Sequence, residues 1–283
     1  MVTQIGITPV SLGSLQLSAR DDAGVEWLLT SLKGWSSPGI RAELTPRLAD
    51  HGGWPSPVYL DPRPITLEGV ISAPDRTTRD AAVEQLIAAV ALTDTILTVS
   101  ESLSRQVTVR RSGDLLITPI NPYSATYSAL VTAADPRRYS TTLQSQSTAL
   151  PSVTGGLTLP ITLPITISAT TVSGSITLTN SGSVATRPTL TITGPVDTPT
   201  IVAALPGGSV TQIAYGATLQ AGDVLVIDSA ARTVVLNGTA SRRLYFSGTW
   251  PEIPAASSVT YSWSSPTYDP SALLTGTCRS AWM

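Results

Sequence analysis

His51 and Cys278 are the sole imidazole and the sole thiol among 283 residues, which narrows the chemistry open to this chain. A Ser-His-Asp or Cys-His nucleophile needs an imidazole base within hydrogen-bond reach. His51 stands in Asp50-His51-Gly52-Gly53-Trp54-Pro55, a run with the composition of a loop, and reads as a solvated loop histidine. One His and one Cys cannot assemble a zinc site, and Cys278 has no second cysteine for a disulfide. The sequence carries no phosphate-cradling P-loop, dinucleotide fingerprint or Gly-x-Ser-x-Gly elbow. Paired carboxylates could still hydrolyse a glycosidic bond. The second half offers only Asp197, Asp223, Asp228, Glu252 and Asp269 for that task. Asp223 follows Gly222 and Asp228 closes a strand, so both read as turn residues. Trp250 and Trp263 are candidates for a sugar-stacking platform, weighed against burial in a core or interface. The expectation is no enzyme, with no catalytic residue, metal or cofactor.

Composition agrees in kind. Charged residues make up 13% of the chain and hydrophobic residues 42%, against a usual charged share of ~25%. That apolar content excludes disorder, and the length favours two domains. Residues 1–143 hold 12 of the 17 basic and 14 of the 19 acidic residues. The second half is therefore nearly uncharged, with a Ser/Thr surface suited to packing against neighbours. No basic stripe exists, so specific nucleic-acid binding through phosphates is not expected. No apolar run is long enough to span a membrane, and no signal peptide is visible at the N-terminus, so synthesis without a secretion signal is expected.

The elements needed to position these residues are mainly strands. Gln4–Pro9, Ser14–Ala19 and Ile40–Pro46 alternate as strands do, and Val25–Leu32 is a strand or a helical turn. Arg63-Pro-Ile-Thr-Leu-Glu-Gly-Val-Ile71 alternates, with Ile65, Leu67 and Gly69 on one face. One helix follows over Asp75–Leu92. Asp75 or Thr77 can cap it, Val83, Leu86, Ile87 and Val90 form its apolar stripe, and Arg79, Glu84 and Gln85 face water. Strands then recur at Thr95–Val99, Gln106–Arg111, Leu115–Pro119 and Tyr123–Ala133, with turns at Ser112-Gly113-Asp114 and Asn121-Pro122. Residues 140–172 are Ser/Thr/Pro-rich and include Leu159–Ile167, where repeated proline suggests an extended linker or an edge. Beyond them, Gly174–Thr179, Thr189–Thr193, Thr200–Ala204, Gln212–Tyr215, Asp223–Ile227, Thr233–Leu236, Leu244–Ser247 and Ser258–Ser262 have the spacing of a sandwich or jelly roll. Asn237-Gly238 carries a type I′ hairpin signal, which outweighs the glycosylation reading of Asn237-Gly238-Thr239.

In this order the segments resemble the distal tail protein of long-tailed siphophages. Arg63–Ile71 with its following helix is similar to that family's Arg-x-Ile-x-Leu-x-Gly strand and helix. Ala134-Asp-Pro-Arg137 resembles the close of its N-terminal domain. Ala221–Asp228 with Val234–Gly238, and Trp250–Pro254 with Val259–Ser262, resemble stretches of its C-terminal domain. Cys278-Arg-Ser-Ala-Trp282 resembles its Arg-x-x-Trp ending. The resemblance implies a mainly β chain: an N-terminal barrel- or sandwich-like ring domain with one packed helix over 1–139, a linker or edge over 140–172, and a galectin-like jelly-roll sandwich over 173–283. It implies a hexameric ring at the distal end of the virion's tail, joining the tail tube protein to the tail-tip hub and contacting tape measure and receptor-binding proteins. The competing expectation is a carbohydrate-binding tail module using Trp250 and Trp263.

Overall fold

The structure, a computed structural model, describes residues 3–4, 8–90, 92–154 and 170–283. They form two units, Met1–Thr141 with Trp282–Met283, and Thr142–Ala281. In the first unit an antiparallel sheet runs Thr3–Gln4, Ala19–Arg20, Glu26–Lys33, Arg63–Ser72, Ser124–Ala133, Ser104–Asn121, Thr95–Ser100, Val10–Leu12 and Leu15–Gln16. Both ends of this order fall within the first twenty residues, and the short step from Gln16 to Ala19 links them. The sheet therefore curls into a near-barrel.

Arg63–Ser72 lies at the middle of this sheet. It pairs with Ser124–Ala133 from Arg63↔Ala133 to Ser72↔Ser124, and with Glu26–Lys33 on its other side. Strict alternation turns Arg63, Ile65, Leu67, Gly69 and Ile71 inward. The register to Glu26–Lys33 shifts between Glu68 and Gly69. A Cβ on Gly69 would lie 2.5 Å from both Leu28 O and Tyr127 Oη, so only glycine lets the strands and the Tyr127 ring approach this closely. Val25–Leu32, left open between strand and helical turn, belongs to a strand, Glu26–Lys33. The expected turn at Ser112-Gly113-Asp114 is instead an irregularity inside one strand, Ser104–Asn121, whose pairing slips between Arg111 and Leu115. A bulge absorbs the turn-forming residues without reversing the chain.

The one helix of the described residues spans Arg76–Ala89. Asp75 caps it by accepting Thr78 N at 2.9 Å and Thr78 Oγ1 at 2.8 Å, and these bonds hold its carboxyl below the usual range. Its buried face is Arg79, Ala82 and Leu86, with Val90 buried just beyond and Val83 half-buried. Ile87 is exposed and Arg79 is not, which corrects both assignments. The small Ala82 and Ala89 bring that side of the helix near the core. Arg79 buries its aliphatic stem there, while its guanidinium reaches Asn121 O at 2.8 Å and the Asp80 carboxylate.

The second unit is a β-sandwich. One sheet orders Gln144–Ala149, Leu273–Cys278, Thr189–Thr193, Val224–Asp228, Thr233–Leu236 and Ala240–Ser241. The other orders Ser175–Asn180, Ser257–Ser264, Thr200–Ala204, Val210–Tyr215 and Phe246–Gly248. Leu190, Ile192, Leu225, Ile227 and Leu274 of the first sheet share a core with Leu178, Ile201, Ile213, Val259 and Tyr261 of the second. Asn237 and Gly238 both take positive φ, 50° and 75°, as a type I′ hairpin requires. One strand carries no strong apolar signal in sequence. Gln144–Ala149 lies inside the expected 140–172 segment and is an edge strand, paired from Gln144↔Cys278 to Ala149↔Leu273. The sandwich therefore starts near Thr142. Leu159–Ile167 lies outside the described residues. Leu244–Ser247, expected as strand, is a 3-10 turn over Arg243–Tyr245 leading into Phe246–Gly248.

Each unit has its own core, and Leu86 is 1% exposed. Leu86→Asp would bury an unpaired carboxylate, at a cost above about 4 kcal/mol. The expected outcome is loss of the first unit's unfolding transition in calorimetry while the sandwich transition persists. A wild-type trace would remove Leu86 from the core.

Candidate assembly interface

Between Lys33 and Arg63 the chain leaves the sheet and returns as a long arm. Ile40–Arg41 pairs with Tyr59–Leu60, and Leu44–Pro46 pairs with Gly53–Pro55. Asp61 N donates to Gly39 O, Ser56 N to Glu43 O and Arg47 N to Gly52 O, at 2.9, 2.9 and 3.1 Å. At ~3.4 Å per residue the ten residues from Ile40 to Ala49 span about 30 Å. An isolated two-stranded hairpin is marginal in water, yet this one buries little of its apolar surface. Ile40, Leu44, Leu48, Trp54, Val58 and Tyr59 are each at least 60% exposed. Arg47 lies 4.5 Å over the Trp54 ring and pairs with Asp50 at 3.3 Å, which stiffens the tip without covering it. Six large apolar side chains this exposed, spread over both faces of one arm, mark an interaction site. His51 sits exposed at the tip, with Asp50 Oδ1 accepting its backbone N–H.

Arg63 fixes the base of the arm. It is fully buried and faces no carboxylate among the hydrogen bonds and ion pairs of the described residues. Its Nε donates to Pro136 O at 2.9 Å, and its Nη1 donates to Gly34 O at 3.3 Å and to Trp35 O. Burial, and then the nearby Arg138 charge, push its pKa down to about 10. Gly34 and Trp35 begin the arm and Pro136 lies between the strands Ser124–Ala133 and Arg138–Ser140, so one guanidinium ties both segments to the central strand. Arg138 lies 5.4 Å over Trp35 and donates its Nε to Met283 O at 2.9 Å, while Arg105 lies 5.0 Å over Trp282. The residues of three motifs, Arg63, Pro136 and Trp282, thus meet at this end of the first unit.

The other residues singled out in the sequence are not brought together. Asp223 accepts Asn237 Nδ2 and Gln220 N, and these bonds hold its carboxyl low. Asp228 accepts Ala230 N and Ala231 N, Asp197 accepts Thr218 Oγ1, and Asp269 accepts Ser271 N and Oγ. Glu252 lies 3.9 Å from Arg187. Each carboxylate already has a local partner. Trp263 is 2% exposed and donates its indole N–H to Ala149 O, so it presents no face to a sugar. Trp250 is half-buried, with its ring stacked on Phe246 at 4.4 Å. Cys278 is buried beneath the sandwich, and burial pushes its thiol up to about 11. Among the described residues no group of three or more His, Cys, Asp or Glu is placed to hold a metal ion, and no helix is long and apolar enough to cross a membrane.

Residues 181–269 match the family model of the siphovirus-type tail component, C-terminal domain. The crystal structure of phage SPP1 Dit (gp 19.1), described as a paradigm of the hub adsorption apparatus in Gram-positive infecting phages, superposes with a TM-score of 0.64. It covers 98% of this chain and 100% of that one at 13% identity. The chain has the fold of a siphophage distal tail protein. Two structures of the phage p2 baseplate in its activated conformation, with Ca and with Sr, match at a TM-score of 0.49 and 10% identity. Each covers 93% of this chain and 100% of the matched chain. No curated protein matches. The resemblance drawn from the ordered motifs is borne out by the family match over 181–269 and by the fold shared with SPP1 Dit. The distal tail fold gives the arm a context. It leaves the near-barrel next to the central strand, whose buried arginine anchors it.

Two outcomes are expected. Arg63→Met leaves the carbonyls of Gly34, Trp35 and Pro136 without their donor and costs the first unit about 2–4 kcal/mol. Thermal unfolding should show this, against no change for the exposed Arg76→Met. Cys278 reacts only as thiolate, and its raised pKa keeps it protonated at pH 8. Iodoacetamide should label it after unfolding in guanidinium and not before, read by mass spectrometry.

Proposed function

We propose that this chain is a non-enzymatic, ring-forming distal tail adaptor. In this reading, copies close head to tail into a hexameric ring through heterologous contacts repeated by rotation. The ring joins the tail tube protein to the tail-tip hub at the distal end of the virion, next to the tape measure and the receptor-binding proteins. The protein is made in the host cytoplasm and taken into the tail. The observation that carries this is the arm over residues 39–61. It is a two-stranded hairpin about 30 Å long with six large apolar side chains in solvent, and it needs a surface to lie on. A second copy supplies that surface once per subunit, which accounts for an arm on every chain. The weakly charged Ser/Thr surface of the second unit suits close packing of copies and neighbours. The carbohydrate reading has less behind it, because Trp263 is buried and the Trp250 ring already stacks on Phe246.

The test is complementation of a phage lacking this gene. Wild-type protein should restore tails with rings of six in negative-stain images. Leu44→Asp with Trp54→Asp, both on exposed arm positions, should leave the fold intact by circular dichroism and yield no tails. Normal tails from that variant would overturn the role of the arm.

A further inference from the structure

Ala240–Gly248 joins the two sheets of the sandwich at one side. Ala240–Ser241 is the last strand of one sheet and Phe246–Gly248 the last strand of the other. Between them the Arg243–Tyr245 turn stands out, with Leu244 90% and Tyr245 41% exposed. Arg243 is exposed and held in place. Its guanidinium lies 4.9 Å over Phe246 and 5.1 Å over Trp250, and Nη1 donates to Phe246 O at 3.2 Å. Arg242 lies 5.9 Å from the Tyr245 ring, which in turn meets Tyr215 edge-on at 6.0 Å. Gly248 closes the turn onto the sheet. Its φ is 110°, and a Cβ there would meet Gln212 O at 2.0 Å.

The second unit has five basic residues, Arg187, Arg232, Arg242, Arg243 and Arg279. Arg187 pairs with Glu252. Arg242 and Arg243 are adjacent, and neither is in an ion pair with a carboxylate among the described residues. Asp223 feels the Arg242 charge without an ion pair to it, and its oxygens accept from Asn237 and Gln220. Two unneutralised guanidiniums, fixed by aromatic rings and flanked by an exposed leucine and tyrosine, have the composition of an interface anchor. Planar guanidiniums held in place suit carboxylates, which they bind in a fork. Among the described residues Phe246–Gly248 has no strand on its outer side, and apart from Phe246 O, which accepts from Arg243, that edge offers backbone to an extended chain.

We propose that the Arg242–Tyr245 turn and the Phe246–Gly248 edge dock an acidic, extended segment of a partner protein, its carboxylates on Arg242 and Arg243 and an apolar side chain against Leu244. A sugar polymer fits less well, because the Trp250 ring is taken up by Phe246 and Arg243. The inference rests on the adaptor reading only in giving one partner a place and a chemistry, and it involves no residue of the arm.

The test uses full-length protein and a fluorescein-labelled peptide of three Glu-Val-Asp-Thr repeats, read by anisotropy at low salt. Saturable binding is expected, weakened about tenfold or more in Arg242→Gln/Arg243→Gln and in the Gln/Asn form of the peptide, and reduced by Leu244→Asp. Unchanged near-ultraviolet dichroism and unchanged rings in the variants would separate this site from the arm, whose failure shows as lost tails with peptide binding intact. The proposal is overturned by no saturable binding, by equal binding to the double variant, or by dextran sulfate binding more tightly than the peptide in an Arg242- and Arg243-dependent way.

Discussion

A single buried guanidinium organises the first unit. Taking an arginine out of water is costly unless its donors are met. Arg63 offsets much of that cost with three backbone carbonyls on Nε and Nη1 instead of a carboxylate, while its buried Nη2 has no hydrogen-bond partner among the described residues. Those carbonyls belong to the segment that enters the arm and the segment that follows Ser124–Ala133, so the ladder of Arg63–Ser72 is locked at its start. A carboxylate partner would neutralise the charge and hold one residue. Carbonyl partners leave the charge in place but hold Gly34, Trp35 and Pro136 together. The arm is thereby rigid at its root and open along its length, a useful division for an element that must reach a neighbour.

The two units solve stability in different ways. The first curls one long sheet nearly into a barrel and caps it with the helix carrying Ala82 and Leu86. The second sandwiches two sheets over Leu190, Ile192, Ile201 and Val259, and satisfies its turns with short acidic side chains such as Asp223 and Asp228. Nearly every acid in the sandwich is thus engaged in local geometry. That is why the turn at Arg242 and Arg243 stands apart electrostatically from the rest of the unit.

Much of this fold was legible from periodicity. Ile65, Leu67 and Gly69 alternate as they pack, and Thr189–Thr193 and Thr200–Ala204 have the bounds their pattern predicts. What failed did so for identifiable reasons. Charge argued that Arg79 faces water and size argued that Ile87 does not, but the helix turns its small alanines to the core and Arg79 shares that face. Gln144–Ala149 has no apolar alternation because it is an edge strand, and its Ser and Gln side chains reveal nothing of its pairing. The arm gave only weak strand signals, since a hairpin with both faces in solvent has no buried side to imprint a period of two. Arg63 is the instructive case. Its alternation with Ile65 and Leu67 put it inside, and only the expectation that charges stay outside stood against that.

Trp282 and Met283 belong to the first unit although the whole sandwich intervenes in the chain. Synthesis runs from the N-terminus, so the near-barrel emerges from the ribosome long before the pieces that stack on Arg105 and bind Arg138 exist. The first unit receives the contacts of Trp282 and Met283 only after the second has been made. Completion of the near-barrel is therefore a report that translation has passed the sandwich, and chains cut short within the sandwich carry a first unit that lacks the Trp282 ring over Arg105 and the Met283 carbonyl at Arg138.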